Sequence, residues 1–365
     1  MRLTRIALKS FRNIEQAEVN FCPDFNAIVG PNAQGKTSLL EAIFLAICGK
    51  SFRTSQLIHL IKQDSPFFGS ELFFEKNHLE QRLRIAFDGI ERKIAYNQSL
   101  CPSIASIIGI LQGVLMTPDH LDIVKGGPQV RRQYMDLQLA QADTKYMNHL
   151  SRYQKAMRQR NVLLKTHTFD TIEVWEQEMA TSAAYIVNSR RQLLQALTGQ
   201  AQQHYQYLTE GSEALSLRYK TGSSGIEADH CRQYYLERYR LDRAKEAEHG
   251  LTLTGPHKDD LIIGIDGREA RHFSSEGQAR SCVAALKLAE WHQMRLRTGY
   301  APLFLVDDLT ISLDQHRLHR FLEEMQKLKQ VFITSTHTQL PLFPGRETRI
   351  FQMRSGTISE STHSA

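Results

Sequence analysis

The chain has 365 residues, with 45 Lys and Arg against 39 Asp and Glu, a formal net charge of +6 and a pI near 9.0. That length asks for two domains of roughly 100 to 200 residues, and the modest basic excess permits a nucleic-acid or acidic-membrane partner without demanding one. Five widely spaced cysteines, odd in number and without a C-x-x-C pair, argue against a disulfide framework or zinc knuckle, and the most apolar later stretch, Ile104 to Met116, is short and broken by Gly109, Gln112 and Gly113, so no membrane span and a reducing compartment are expected.

Met1 to Phe11 interleaves Arg2, Arg5 and Lys9 with apolar residues and lacks a continuous apolar core, so it reads as a first strand and not as a signal peptide. Further strands are expected at Glu15 to Phe21, Phe25 to Val29, Ser70 to Phe74, Gln81 to Phe87 and Arg92 to Tyr96, giving an α/β core with an antiparallel flank. The run Ala27-Ile28-Val29 leads directly into Gly30-Pro31-Asn32-Ala33-Gln34-Gly35-Lys36-Thr37, which fits the phosphate-binding pattern G-x-x-x-x-G-K-[ST]. Behind it Leu39, Leu40, Ala42, Ile43, Leu45, Ala46 and Ile47 recur at helical spacing, so the strand, loop and helix that the motif needs are all present. Glycines let the backbone approach a phosphate, and successive N–H groups at a helix start form an anion nest. Lys36 is then the candidate for the β- and γ-phosphates of ATP, and Thr37 offers its hydroxyl to Mg²⁺.

From about Gln129 to Gly250 the composition shifts to long helical patterns. Tyr146, Leu150, Tyr153, Met157 and Leu164 keep a spacing of three, four or seven, as do Ile172, Trp175, Met179, Ile186 and Leu193, which predicts two antiparallel helices within an inserted helical lobe. The domain reading is therefore a head built from 1–125 and 251–365, with 126–250 inserted. Between Lys145 and Phe169 stand Lys145, Arg152, Lys155, Arg158, Arg160 and Lys165 with no acidic residue, a stretch suited to DNA phosphates; Lys125, Arg131 and Arg132 form a second basic candidate. A solvated helix face is the plainer alternative.

Further along, Ser275-Glu276-Gly277-Gln278 precedes an apolar helix through Ala284, Leu286, Leu288 and Trp291. It matches the S-x-G-Q core of the signature of ABC-type ATPases, which implies that the Ser275 hydroxyl, the Gly277 amide and the helix N-terminus meet the γ-phosphate held by a second subunit, with Gln278 a further candidate of the same motif. Leu303-Phe304-Leu305-Val306 then delivers Asp307 and Asp308 at the end of a buried strand, where ligands bind in open α/β sheets. Asp307 is placed to hold Mg²⁺ and Asp308 to polarise the attacking water. Gln330 to Thr334 reads as a neighbouring strand, followed by His337 as a candidate γ-phosphate sensor, while Gln63 is a guess for the glutamine loop.

With these residues assembled, the chain resembles the RecF family of recombination-mediator ATPases, head-domain relatives of the SMC and Rad50 proteins. The resemblance runs from Leu3 to about Gly356. It rests on Asn32 to Thr37 followed by Leu39-Leu40-Glu41-Ala42-Ile43, on Ser51-Phe52-Arg53, on Gly127-Pro128 with Arg131-Arg132, on Gly255-Pro256-His257-Lys258-Asp259-Asp260-Leu261 and on Ser275 to Arg280. It implies an ABC-type ATPase head, a mixed sheet with its phosphate loop, and a slow, DNA-stimulated ATPase used as a switch. It also implies a cytoplasmic protein that binds gapped, single- or double-stranded DNA, dimerises on ATP and cooperates with RecR and RecO to load a recombinase at single-strand gaps in repair and replication. Two departures stand out: Lys258 replaces the family's usual Arg, and Ile311-Ser312 replaces Ser-Glu before Leu313-Asp314, which bears on hydrolysis more than on binding.

Other classes fit less well. A transporter ATPase carries its signature roughly a hundred residues after the phosphate loop, whereas Ser275 lies more than two hundred after Lys36. An SMC or Rad50 structural protein needs hundreds of heptad residues, although a DNA-clamping ATPase without a mediator role stays as the alternative. A nuclease would need clustered carboxylates and a further domain, for which the roughly 50 residues after Asp314 are too few. A small-molecule kinase would not explain the distant S-x-G-Q and paired aspartates.

Overall fold

The computed structural model describes residues 1–308, 313–336 and 345–361. In chain order it opens with β1 (Arg2–Phe11), β2 (Ile14–Asn20), β3 (Phe25–Val29), α1 (Lys36–Cys48), β4 (Phe68–Lys76), β5 (Leu79–Phe87), β6 (Arg92–Tyr96), β7 (Ser99–Leu100) and β8 (Gly113–Met116). There follow α2 (Asp122–Lys125), α3 (Pro128–Ala142), α4 (Thr144–Thr166), α5 (Ile172–Leu208), β9 (Leu215–Lys220), α6 (Cys231–Leu241), α7 (Arg243–His249), β10 (Asp260–Ile265), β11 (Arg268–Glu269) and α8 (Ala270–Phe273). The chain ends with α9 (Glu276–Thr298), β12 (Leu303–Val306), α10 (Gln315–Gln326), β13 (Val331–Ser335), β14 (Thr348–Arg354) and β15 (Thr357–Ser361).

Contacts divide the chain into two compact units. The first holds Met1–Leu121, His204–Ser212 and the chain from Glu276 onward; the second holds Asp122–Gln203 and Glu213–Ser275. Against the expected 126–250 insertion, the segment up to Ser275 packs with the helical unit, because β10 pairs with β9 along its whole length. The last turn of α5 packs instead with the first unit, where His204 Nδ1 lies 2.8 Å from Glu324 on α10.

The first unit contains two six-stranded sheets. One is antiparallel in the order β2-β1-β4-β5-β6-β7, the flank expected from the alternating N-terminal strands. The other runs β15-β14-β3-β13-β12-β8 and is parallel except for the β14–β15 hairpin. A parallel sheet covered on both faces leaves its inner strands no solvent face, and Phe25–Val29 and Leu303–Val306 are continuously buried. The second is an unbroken apolar run and the first is apolar but for Asn26, whose side-chain amide accepts from Cys22 N and donates to Cys22 O. β3 and β12 are separated only by β13, so the loop after Val29 and the acids after Val306 leave the same sheet two strands apart.

In the second unit, α4 and α5 form the expected antiparallel pair. Asp143 pairs with Tyr185, His149 with Ser182, Arg152 with Glu178 and Arg160 with Glu176, one partner number rising as the other falls. Asp143 caps α4 by accepting from Lys145 N at 2.9 Å, and Pro128 opens α3. A three-stranded sheet, β11-β10-β9, was not foreseen within the helical region. Its first strand, Leu-Ser-Leu-Arg-Tyr-Lys, has only one fully buried residue and therefore gives a weak apolar signal. All five cysteines are free, and among the described residues no helix is long and apolar enough to cross a membrane.

Candidate nucleotide site

The phosphate loop connects the buried end of β3 to α1. Its backbone uses the left-handed region at Ala33 (φ 61°) and Gly35 (φ 114°). At Gly35 a side chain would also collide with Asn13, since a Cβ there would lie 2.8 Å from the Asn13 amide, so this position requires glycine on two counts. The outer wall is fixed by Gln34. Its carbonyl accepts from Asn13 Nδ2 and Gly356 N at 2.9 Å each, and its side-chain oxygen accepts from Ser355 N at 2.6 Å.

Lys36 is buried and folded over the loop, its Nζ donating to the carbonyls of Gly30 at 2.6 Å and Pro31 at 2.8 Å. Burial lowers its ammonium below the ordinary lysine value, against the opposing pull of Asp308 and Asp307. The Thr37 hydroxyl donates to both Asp307 carboxylate oxygens, at 2.9 and 3.1 Å. Thr334 on β13 donates to Asp307 Oδ1 at 2.8 Å and accepts from Asp308 N at 2.8 Å. Burial pushes the Asp307 carboxyl above the usual carboxylate range, and the bonds from Thr334 and Thr37 only partly offset it.

These groups line a cavity of about 870 Å³ whose wall includes Asn32 to Ser38, Asp307, Asp308 and Thr334. Gln63 lies on the same wall. Thr37 and Asp307 present hard oxygen donors side by side at its floor, a donor set that fits Mg²⁺. Among the described residues no cluster of three His, Cys, Asp or Glu could hold a metal, so a divalent ion here depends on these two groups and on the phosphates themselves.

Three further residues of the site were not picked out from the sequence. Glu41 has no exposed surface although it sits in α1, and it receives Arg12 through a fork of 2.9 and 2.7 Å. Ser51 also donates to Glu41, and Arg53 lies 3.8 Å away. Arg12 and Arg53 both line the cavity, so one buried carboxylate holds two cations at its rim. Glu41 and Arg53 fall within two motifs of the family resemblance, Leu39-Leu40-Glu41-Ala42-Ile43 and Ser51-Phe52-Arg53, which by themselves carry no role, and Arg12 has no such signal.

Gly277 and Gln278 occupy the first turn of α9, and neither lines the cavity. Ser275 is exposed just before that helix, and Lys125 Nζ donates to the carbonyl of the preceding Ser274. His337, Ile311 and Ser312 lie outside the described residues.

The basic residues proposed for DNA divide into two groups. Arg131 is 3% exposed and forks onto Asp260 at 2.7 and 2.8 Å, with a third bond to Gly126 O. Arg160 is wholly buried among Glu176, Glu246, Thr252 and the Tyr239 carbonyl. Arg132 donates to Asp259 O at 2.8 Å, and Arg152 forks onto Glu178. Arg131 and Arg160 are therefore structural, because a buried, paired guanidinium cannot reach a phosphate without unfolding its surroundings. Lys155 and Arg158 remain on the exposed face of α4. The Gly127-Pro128 and Gly255-Pro256-His257 segments, separate motifs in the sequence, thus meet through Arg131, Arg132 and Arg190, whose Nη1 donates to Pro256 O at 2.8 Å.

The family model for the RecF/RecN/SMC N-terminal domain matches residues 2–359. The DNA replication and repair protein RecF of Protochlamydia amoebophila is 44% identical over 92% of this chain and 94% of its own length. A solved structure of the recombination mediator protein RecF with ATP, in the RecFOR pathway, superposes with a TM-score of 0.91 at 28% identity, covering 99% of this chain and 98% of that one. The Smc head domain of Pyrococcus furiosus, at 17% identity and a TM-score of 0.57 over 100% of this chain and 96% of that one, shares the fold.

Proposed function

Since this chain belongs to the RecF family, we propose that it is an ATP-dependent DNA-binding protein of replication and repair whose nucleotide is clasped between two copies. The observation that carries the reading is a division of labour. One cavity gathers the phosphate loop, Thr37, Asp307 and Asp308, while Gly277 and Gln278 open a helix outside its wall. A site completed by a second copy accounts for both halves.

In this reading Lys36 turns from the Gly30 and Pro31 carbonyls to the β- and γ-phosphates of ATP. Thr37 and Asp307 would hold Mg²⁺, which supplies positive charge against the phosphate oxygens. Asp308, with its N–H anchored on Thr334, orients the attacking water. Ser275, Gly277 and Gln278 of the second copy meet the γ-phosphate, so nucleotide and dimer form together and hydrolysis separates them. Lys155 and Arg158 supply contacts to DNA phosphates. Relatives carry the name DNA replication and repair protein, and a similar solved structure belongs to the RecFOR pathway; both support action at single-strand gaps with RecR and RecO, helping to load a recombinase.

Sedimentation velocity with and without ATP, combined with titration of gapped DNA, tests the reading. Wild type should dimerise and bind DNA more tightly with ATP, and Lys36→Arg should lose both responses. A Lys36→Arg protein that dimerised and held DNA like wild type would overturn it.

A further inference from the structure

We propose that Arg317 is a positioning residue that locks the first turn of α9 to the start of α10, so that the Gly277–Gln278 face is held ready for a second copy's nucleotide. The inference rests on the clasp reading above and adds a residue to which that reading gives no role.

Asp314 caps α10 by accepting from His316 N at 3.1 Å and Arg317 N at 2.9 Å. From that first turn the Arg317 side chain, 22% exposed, reaches across to α9. Its Nε stays 3.4 Å from Asp314 Oδ2, and its Nη1 donates to Ser281 Oγ at 3.1 Å. Ser281 Oγ in turn donates to the Gly277 carbonyl at 3.0 Å. The chain Asp314, Arg317, Ser281, Gly277 therefore ties the segment after the paired aspartates to the signature turn through consecutive polar contacts.

Gly277 is part of the same device. A Cβ at this position would lie 3.3 Å from Arg317 Nη1, so the end of the arginine packs directly over the glycine and would shift by a few tenths of an ångström to admit a methyl group. The guanidinium and the glycine of S-x-G-Q are therefore in direct contact as well as linked through Ser281. The charge points the same way. A guanidinium beside a helix N-terminus opposes the helix dipole, an arrangement of the wrong sign for an isolated helix and of the right sign for a face that receives polyphosphate.

The test compares Arg317→Ala, Arg317→Lys, Ser281→Ala and the Arg317→Ala/Ser281→Ala double variant. Each is assayed for binding of a fluorescent ATP analogue at concentrations where the protein is monomeric, and for ATP-dependent dimerisation by sedimentation velocity. The expected result is analogue binding within about twofold of wild type, with dimerisation weakened at least tenfold in Arg317→Ala and Ser281→Ala. The double variant should be no worse than either single one, because all three remove the same contact. Arg317→Lys should recover part of the loss by keeping the charge. Urea midpoints equal to wild type separate a positioning effect from unfolding, and Ser281→Ala, which shortens the chain by one hydroxyl, gives the same direction if Arg317→Ala does not fold. Dimerisation of Arg317→Ala at wild-type strength, or single effects that multiply in the double variant, would overturn the role of Arg317 while leaving the clasp intact. Failure of wild type to dimerise with ATP would remove both.

Discussion

Replacing Arg131 by Ala distinguishes a structural arginine from a DNA contact. The substitution removes a fork of 2.7 and 2.8 Å and leaves Asp260, only 12% exposed at its side chain, without its cation. Breaking a buried pair from one side costs about 3 to 5 kcal/mol, since the remaining charge is stranded in a poorly solvating interior. At about 1.4 kcal/mol per tenfold, even the lower figure speeds exchange of the most protected amides of α3 and β10 by roughly a hundredfold. Hydrogen exchange of the full chain, read by mass spectrometry on peptides from these elements, measures it directly. Pairing Arg131→Met with Asp260→Leu should recover most of the protection, because a buried ion pair replaced by apolar groups is close to neutral. Lys155→Ala provides the contrast: unchanged exchange, weaker DNA binding, and a salt dependence whose slope falls by about 0.9. If Arg131→Ala exchanged at the wild-type rate while its DNA affinity and salt slope fell as for Lys155→Ala, the assignment of Arg131 to the core of the second unit would be wrong.

Two further outcomes follow from the same geometry. Asp307→Asn keeps the shape of the carboxylate but removes its charge beside Thr37, so Mg²⁺-dependent ATP turnover should fall by two orders of magnitude or more, whereas binding of a nucleotide without Mg²⁺ should change little; calorimetry with and without Mg²⁺, beside a phosphate-release assay, checks both. His257 is held neutral, donating from Nε2 to Thr252 O at 3.0 Å and accepting at Nδ1 from the Tyr153 hydroxyl at 2.6 Å, and burial lowers its pKa to about 4. Because the unfolded chain takes up this proton near pH 6.5 and the folded one refuses it until about pH 4, the stabilisation is complete above pH 6.5 and drains away as the pH falls toward 4, by about 3 kcal/mol. Urea denaturation between pH 7 and 4 should show this slope, and His257→Gln should flatten it.

How far the sequence could be read depended on how local the chemistry is. The phosphate loop was legible because its strand, glycines, lysine and helix are contiguous, and Asp307 because a fully buried strand must announce itself as an apolar run before releasing its acids. Glu41 was not legible: an acid inside an apolar helix looks like a solvent-facing position, and only tertiary structure shows α1 covered on every side, with Arg12 arriving from the turn after β1 and Arg53 from a loop. The pairing of Arg152 and Arg160 within the basic stretch of α4 was hidden for a related reason. Counting charges along a helix tests neighbours three or four residues away, yet in an antiparallel pair the partners come from the other helix. Arg152 finds Glu178 and Arg160 finds Glu176, both on α5, while Glu246 comes from α7.

An uninterrupted run of basic residues is thus not evidence that all of them face an anion, because the acids that neutralise some of them lie elsewhere in the chain. For Arg160, zero exposure and two carboxylate partners decide the matter; for Lys155 and Arg158, exposure leaves the charge in solvent, where a phosphate can reach it. Counterion release then makes a discriminating demand on the second unit: the salt slope of DNA binding should respond to Lys155 and Arg158 one by one, and substitution of Arg160 should act on it only through loss of folded protein. The same separation explains why the paired glycine-proline motifs, which carry so much of the family resemblance, bear on function indirectly. Their arginines and aspartates bind each other, and what they fix is the scaffold from which the exposed cations of α4 project.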